Sequence, residues 1–557
     1  MLASRLTLLL CCAASPLVTN ARAEGDSAPL HQRIDEMIAA ATTDYASIVS
    51  AVCSDEEFVR RLYLDLSGRI PSAEQTLAFL QNDHLDKRVQ LVNQLLTTPE
   101  HARHLQHRLD VLLMERRPKK HIDVAQWRDY LFSSLIQNKT WDVLTREILT
   151  ADGVAKEERV RVRFLLDREL KAEETTRDLG RVFLGRDLQC AQCHDHPTIT
   201  DYEQVHYFGL NAFLNRSYLF TDPKSKEKWI GEKAEGTVKF TSVFTSVEAE
   251  TAPRMLTLPP LVDPSPDKEP YIAKPDKAAR GIPKYSRRLL LADAITDPAN
   301  RAFRLNIANR LWAMMTGRGL VEPLDMFHSD NPPSHPELLD LLADGLVEHS
   351  FDMRWLIREI ALSQTYQLSS VIKDGTSAPP EKYTSGLLKP LSPEQLSWSV
   401  MQACGVVAKS QQQVAAKLAK DEPTLKPDTA EYALRMESLV DKSLSPHVEN
   451  FVTIFASANE SSRFDATANQ ALFVLNGDLI SNWLKPSQGH LTQRLAEHSD
   501  TDKMVDEFYL RLLTRRATES DRQMLKDFVQ GDAEEQAEAM RQAVRSVLCS
   551  AEFRFNH

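Results

Sequence analysis

Apolar residues recur at intervals of three and four along most of this chain, the spacing of one face of an α-helix. The stretches Lys87–Leu96, Val124–Ile136 and Thr501–Leu513 follow this pattern clearly. Glycine disfavours helix interiors, and the chain has only 18 glycines in 557 residues. The sequence therefore predicts a mainly α, multi-helical protein.

Two stretches interrupt the helical pattern. In residues 237–247 the apolar side chains Val238, Phe240, Val243 and Phe244 are interleaved with polar ones, which predicts a small β element. Residues 251–284 contain eight prolines and many charges, which predicts an irregular linker. We therefore expect two domains, with the small β element between them: an N-terminal helical domain over 24–250, the linker over 251–284, and a C-terminal helical domain over 285–557.

The segment with the most specific chemistry is a C-x-x-C-H pattern formed by Cys190, Cys193 and His194. This spacing is typical of covalent attachment of haem c, with one thioether bond to each sulfur and the imidazole on the iron. Asp195 and His196 follow directly, and we expect them to hydrogen-bond around the iron ligand or a haem propionate.

Other uses of the same residues stay open. Cys190, Cys193 and a neighbouring histidine could bind zinc, or the two thiols could form a redox pair or a structural disulfide. A zinc site usually takes further ligands from a second C-x-x-C or H-x-x-x-H pattern, and none follows in the sequence. His101, His104 and His107 recur every third residue and are predicted to line an ordinary helix.

The second axial ligand of such a haem would have to come from another segment, because His196 is too close in sequence to His194 to reach the opposite face of the iron. The candidates are His206, His335, Met314 and Met315, of which His335 or Met314 is the favoured hypothesis. Methionine would raise the reduction potential relative to histidine.

The first residues predict export. Arg5 precedes an apolar run over residues 6–14, and Ala21 and Ala23 are small residues at the positions that a signal peptidase reads. We therefore expect a signal peptide over 1–23, cleaved near Ala23, and a periplasmic or secreted protein. No later apolar run reaches the length of about 18 residues that would predict a transmembrane helix, so no integral membrane span is expected.

Export changes what the remaining cysteines can do. An oxidising compartment permits one disulfide among Cys53, Cys404 and Cys549, and the sequence leaves the pairing open.

The net charge of −11 becomes −13 when Arg5 and Arg22 leave with the signal peptide. An acidic protein of this kind is not expected to bind nucleic acid or an anionic membrane.

Several tracts resemble a large secreted family of planctomycetes, in which two domains of unknown function, families 1549 and 1553, occur beside cytochrome c modules. The tracts that carry the resemblance are residues 58–71, 183–197, 308–321, 332–340 and 550–557. The resemblance implies haem at C-x-x-C-H and settles no activity. The chain departs from the family in lacking the N-terminal cytochrome module, in Thr198 where an aromatic residue is usual, and in Met314 and Met315 where histidines are common.

These observations predict a periplasmic or secreted c-type haem protein that transfers electrons or performs redox chemistry, with a redox partner protein or another envelope component. The alternative is a non-redox binding or scaffold protein in which the Cys190–His194 segment is structural or binds zinc. A hydrolase is not supported, because the sequence has no G-x-S-x-G, H-E-x-x-H or phosphate-loop motif.

Overall fold

The computed structural model describes residues 28–265, 267–373, 375–376, 378–456 and 467–557. The predicted signal peptide 1–23 lies outside these ranges. The prediction of a mainly α protein with small β elements is confirmed. Among the described residues, no helix has both the length and the apolar content needed to cross a bilayer.

The helices account for most of the described chain. The α-helices are Leu30–Ala40, Tyr45–Ile48, Asp55–Ser67, Ala73–Leu80, Lys87–Leu96, Pro99–Met114, Val124–Ile136, Trp141–Thr150, Arg163–Leu166, Ala172–Leu184, Gln204–Leu214, Arg287–Thr296, Arg301–Thr316, Pro336–Glu348, Met353–Leu362, Pro393–Ala403, Val406–Asp421, Ala430–Phe455, Ala468–Asn476, Asp478–Trp483, Leu491–Ala496, Thr501–Leu513, Glu519–Phe528, Ala533–Cys549 and Ala551–Arg554. Short 3-10 helices are Arg159–Val162, Gln189–Gln192 and Pro380–Lys382.

The strands form small antiparallel pairs. The pairs are Ser217–Thr221 with Lys228–Glu232, Val238–Thr241 with Glu248–Thr251, Tyr271–Ala273 with Ile282–Pro283, and Lys389–Pro390 with Phe555–Asn556. The predicted β element therefore exists, and the second pair is a hairpin whose first strand ends earlier than the sequence pattern predicted. The proline-rich stretch also contributes to the third pair.

Capping patterns in the sequence predict some helix starts correctly and place others wrongly. The helix Ala73–Leu80 begins at the predicted capping box, in which Ser72 and Gln75 bond each other's backbone. From the sequence alone Asp55 and Ser334 are predicted as helix caps, and both predictions are wrong by one residue. Ser54, not Asp55, caps the helix Asp55–Ser67, and Asp55 instead lies in its first turn. The helix Pro336–Glu348 begins after His335, whose side chain makes no cap bond, so the predicted cap at Ser334 is not formed.

Buried apolar side chains gather in two clusters. The first extends from Leu30 to Tyr383 and includes residues on both sides of the proline-rich stretch. The second is built from residues between Leu396 and Phe553, together with Leu64 and Ile70 from the N-terminal part. The clusters describe packing and not folding units, so the predicted domain limits stay a prediction.

The helix Asp55–Ser67 lies where the two clusters meet, and every residue of it from Phe58 onward is buried. Arg61 is among these buried residues. Its guanidinium donates to the carbonyl oxygens of Tyr366 at 2.5 Å, Leu368 at 2.8 Å and His557 at 3.1 Å, and it pairs with Glu57 at 2.6 Å. One side chain thus ties the helix to a distant loop and to the end of the chain.

The first test concerns Arg61. Replacing it in Arg61→Met should leave buried carbonyl oxygens without donors, and we expect a loss of about 3 kcal/mol or more in the free energy of unfolding. The control is Arg435→Met, because Arg435 is half exposed and pairs with Glu422 at 2.9 Å. A surface pair of this kind contributes about 1 kcal/mol or less. Urea unfolding followed by tryptophan fluorescence measures both, and equal losses would refute the anchoring role of Arg61.

A second test concerns pH. Burial, with a smaller contribution from Arg354, lowers the pKa of His101 from 6.5 to about 4, and burial also lowers the pKa of His104 and His107. Below pH 6.5 the unfolded chain binds a proton at His101, whereas the folded chain does so only near pH 4. The free energy of unfolding should therefore fall as pH decreases from 6.5 towards 4. Nδ1 of His101 lies 3.0 Å from the Leu66 carbonyl, and an asparagine amide could donate there without titrating.

We therefore expect His101→Asn to lose about 2 kcal/mol less stability than the wild type between about pH 7 and pH 5. Unfolding free energies measured at both pH values test this. The control is His84→Asn, at an exposed position. An unchanged pH dependence in His101→Asn would show that His101 does not titrate as its burial implies.

Candidate functional site

The C-x-x-C-H segment begins where a helix is forced to stop. The helix Ala172–Leu184 ends at Gly185, which has a φ of 67° in the left-handed region. A Cβ there would lie only 2.7 Å from Phe327 Cδ2, so glycine is needed for both the turn and the close approach. After Gly185 the chain is held against the stretch that contains Phe327, because Asp187 N donates to the Asp325 carbonyl at 2.9 Å. The entry to the loop is therefore fixed.

Cys190 and Cys193 lie on one turn, and both are exposed. The turn is formed by the 3-10 helix Gln189–Gln192 and the following Cys193, whose N donates to the Cys190 carbonyl at 3.4 Å. Ala191 between them is buried and holds the turn against the first apolar cluster. The two thiols therefore project from a fixed turn into solvent.

Asp195 and His196 shape the loop that follows. An Asp195 carboxylate oxygen accepts from the backbone N–H of Gln204 at 2.7 Å, at the start of the helix Gln204–Leu214. His196 Nδ1 accepts from the backbone N–H of Ile199 at 3.0 Å and of Thr198 at 3.3 Å. Both side chains thus bond the backbone, and their predicted part around an iron ligand stays a prediction.

His194 is held by its own neighbour and by an aromatic ring. Its Nδ1 lies 2.6 Å from the Asp195 carbonyl oxygen, which can only accept, so Nδ1 is the donor of this hydrogen bond. The imidazole lies 4.5 Å from the ring of Phe244, centroid to centroid. Beside it, Val243 N donates to the Cys193 carbonyl at 3.1 Å. The tip of the hairpin Val238–Thr251 is therefore fastened to the C-x-x-C-H loop.

The hairpin tip adds an apolar area next to the thiols. Phe244 is 76% exposed, and Val243 and Val247 are each 63% exposed. We call the combined area the thiol–hairpin surface, consisting of Cys190, Cys193, His194, Val243, Phe244 and Val247. The base of the hairpin is rigid, since Phe240 stacks on Phe208 at 4.6 Å and Val238 is buried.

Sequence reasoning assigned Val243 and Phe244 to a strand and did not connect them with the cysteines. The structure ends the strand at Thr241 and places both residues in the turn. The sequence could have indicated that the strand ends before these residues, because the adjacent apolar residues Val243 and Phe244 break the alternation that a half-buried strand requires.

The structure places the two favoured candidate axial ligands in separate surroundings. His335 is buried, its ring lies 5.7 Å from that of Tyr383, and its Nδ1 is 3.1 Å from Ser334 Oγ. Burial lowers the pKa of His335. Met314 is half-buried in the helix Arg301–Thr316 and packs against the first cluster. Within the described part of the chain, no hydrogen bond or ring contact joins His335 to the C-x-x-C-H loop, and the ligand roles of both residues stay predictions.

The other described cysteines differ from the exposed pair. Cys53 and Cys404 are buried and Cys549 is half-buried, and all three are free thiols. Burial raises the pKa of Cys404 to about 12 and also raises the pKa of Cys53 and Cys549, so thiolate formation is disfavoured at all three.

A polar cavity lies elsewhere in the structure. It has a volume of about 360 Å³ and is lined by charged side chains that include Asp152, Glu158, Arg161 and Arg280. These groups pair with each other, Arg280 with Asp152 at 2.5 Å and Arg161 with Glu158 at 3.0 Å. A ligand there would have to displace an ion pair, so the cavity is a weaker candidate than the exposed loop.

Comparison with protein families gives two matches. Residues 33–218 match the family PSCyt2, described as protein of unknown function (DUF1549), and residues 287–529 match PSD1, protein of unknown function (DUF1553). The two families expected from the sequence tracts are confirmed. No curated protein and no solved structure matched the chain.

These findings correct the predicted function. Both matching families are described only as proteins of unknown function. Across the described ranges, no group of three or more His, Cys, Asp or Glu side chains could hold a metal ion. The prediction of a c-type haem protein for electron transfer is therefore wrong on these findings. Haem c or zinc as a cofactor of Cys190, Cys193 and His194 stays a prediction from the motif alone.

The loop geometry itself can be tested at Asp195. Asp195→Ala removes the acceptor at the start of the helix Gln204–Leu214, and we expect a loss of about 1 kcal/mol in the free energy of unfolding. Asp195→Asn keeps an oxygen acceptor and should lose less. Hydrogen exchange at the Gln204 amide should speed up in the alanine variant; equal exchange in the two variants would show that the carboxylate does not hold the helix start.

Proposed function

The chain contains a DUF1549 region followed by a DUF1553 region, and we propose that it is a binding protein of the cell envelope whose contact area for a partner protein is the thiol–hairpin surface. The observation that carries this proposal is the position of Phe244, a phenylalanine 76% exposed, fixed on the ring of His194 beside two exposed thiols. Contiguous exposed apolar side chains of this kind mark interaction sites in soluble proteins.

The surface is ordered before any partner arrives. The Val243 bond to Cys193, the Phe240–Phe208 stack and the cap bond from Gln204 to Asp195 fix the hairpin and the loop relative to each other. A surface that is already ordered loses little conformational entropy on binding. This supports recognition by a preformed area.

The charges around the surface indicate what kind of partner fits. The loop 190–197 and the hairpin 238–251 carry the carboxylates of Asp195, Glu248 and Glu250 and one cation, Lys239, which pairs with Glu248 at 3.0 Å. The two segments together therefore carry an excess of negative charge, three carboxylates against one lysine. Charge complementarity favours a partner segment with an apolar side chain flanked by lysine or arginine.

The place of action is proposed from the first residues. Arg5, the apolar run over 6–14 and the small residues Ala21 and Ala23 support export with removal of residues 1–23. A partner would then be another exported protein or an envelope component.

Site-specific photocrosslinking tests the proposal. A benzoylphenylalanine placed at Phe244 in the full chain, expressed in its own host, should give a discrete adduct with a partner protein. The matched control is the same group at Phe528, a phenylalanine 51% exposed at the end of the helix Glu519–Phe528. We expect at least about fivefold more adduct from position 244, and less of it when Glu250 is replaced in Glu250→Lys. Equal adduct yields from both positions would refute the proposed surface.

A further inference from the structure

We propose that Cys190 and Cys193 form a thiol–disulfide exchange site that acts on a disulfide of a protein segment held at the thiol–hairpin surface. The substrate class in this inference rests on the proposed binding function, while the exchange chemistry rests on the two thiols themselves. Among the cysteines that the structure describes, only these two are exposed.

The turn sets a separation of the two Cα atoms that is compatible with a disulfide. A four-residue turn closed from Cys193 N to the Cys190 carbonyl holds its end Cα atoms within about 7 Å. A disulfide requires Cα atoms about 4.4–6.8 Å apart. The pair can therefore close a disulfide by side-chain rotation while the backbone of the turn keeps its course.

The surroundings keep the turn in place in both redox states. On one side Asp187 N bonds the Asp325 carbonyl, and on the other the Asp195 carboxylate bonds the Gln204 N–H. Val243 N bonds the Cys193 carbonyl, so the second cysteine also keeps a fixed position next to the hairpin. None of these bonds uses a cysteine sulfur, and oxidation of the pair leaves them intact.

The exchange balances without a further reactant. The thiolate of one cysteine attacks a sulfur of the substrate disulfide; a mixed disulfide forms, and the other substrate sulfur leaves as a thiolate and takes a proton. The thiolate of the second cysteine then attacks the mixed disulfide. The Cys190–Cys193 disulfide forms and the second substrate thiol leaves with a proton. Two cysteine thiols are oxidised and one substrate disulfide is reduced to two thiols; the reverse sequence oxidises a substrate dithiol.

The substrate class follows from the groups beside the thiols. Phe244, Val243 and Val247 offer an apolar contact, and Asp195 and Glu250 add negative charge. Glutathione disulfide is a small anion and would gain little from an apolar contact and be repelled by these carboxylates. A protein disulfide with apolar and basic neighbours gains from both, so we assign the site to disulfides in protein chains.

The first measurement locates the redox pair. Native full-length protein, reduced and then treated with iodoacetamide, should be alkylated at Cys190 and Cys193, with Cys53 and Cys404 protected until denaturation. Oxidation with a dithiothreitol redox buffer should remove two hydrogen atoms from the peptide that contains both residues. Resistance of both sulfurs to alkylation because they carry a thioether-linked group such as haem would overturn the inference, as would oxidation that pairs either cysteine with another residue.

The second measurement tests exchange. Reduced protein is mixed with a fluorescent peptide disulfide flanked by leucine and lysine, or with glutathione disulfide. Cys190→Ser and Cys193→Ser should each lower the peptide rate at least about tenfold, and one of them should trap a mixed disulfide. Cys549→Ser is the control and should leave the rate unchanged. Circular dichroism should show that all three variants fold. Rates in Cys190→Ser and Cys193→Ser equal to the wild type would overturn the exchange site.

Phe244→Ser separates this inference from the proposed function. We expect it to lower the rate with the peptide disulfide about fivefold and to leave the rate with glutathione disulfide unchanged. Equal effects on both substrates would overturn the assigned substrate class. Crosslinks from position 244 without any exchange would leave the binding function standing and refute the exchange site; exchange without crosslinks would do the opposite.

Discussion

The buried guanidinium of Arg61 is the contact on which the arrangement of the chain depends. A cation taken out of water is costly unless its donors are paired, and here they donate to backbone oxygens of Tyr366, Leu368 and His557 and to the Glu57 carboxylate. The bond to His557 requires the end of the chain to lie against the helix Asp55–Ser67. Packing of the N-terminal region is therefore coupled to packing of the C-terminal region.

The same coupling positions the exposed loop. The helix Ala172–Leu184 that leads into it is bonded from the C-terminal region, since Asn306 Nδ2 donates to the Val182 carbonyl at 2.7 Å. Gly185 lets Phe327 pack against the helix end, and Tyr202 OH donates to the Phe327 carbonyl at 3.2 Å. The cysteines belong to the DUF1549 region, yet residues of the DUF1553 region fix the course of their loop. This accounts for a surface that neither region would hold in place alone.

Much of the fold could be predicted from the sequence because it is encoded locally. Ser72 and Gln75 cap a helix through contacts three residues apart, and the spacing of apolar residues marked Val124–Ile136 correctly. The helix Ala430–Phe455 was missed because Pro446 lies inside it, and proline removes one backbone donor and normally ends a helix. Tertiary packing, which has no local signature, carries that helix past the proline.

The candidate site, too, could be predicted from the sequence only in part. The motif drew attention to Cys190, Cys193 and His194, whose predicted roles stay predictions, and its spacing specifies only a turn. What the turn can do depends on residues far away in sequence, of which Phe244 on the His194 ring is the clearest case. Contacts of this kind follow from the fold of the hairpin and of the helix Gln204–Leu214, so no pattern within the motif could reveal them.

Within residues 190–196, some side chains support the loop and others are exposed and reactive. Ala191 is buried, and Asp195 and His196 accept hydrogen bonds from backbone N–H groups, so these side chains stabilise the loop. The sulfurs of Cys190 and Cys193 take no part in that support and stay exposed. Because the loop does not need the thiols for its stability, their reactivity can change without loss of the surface around them. A segment built this way can present two thiols to a partner in either redox state.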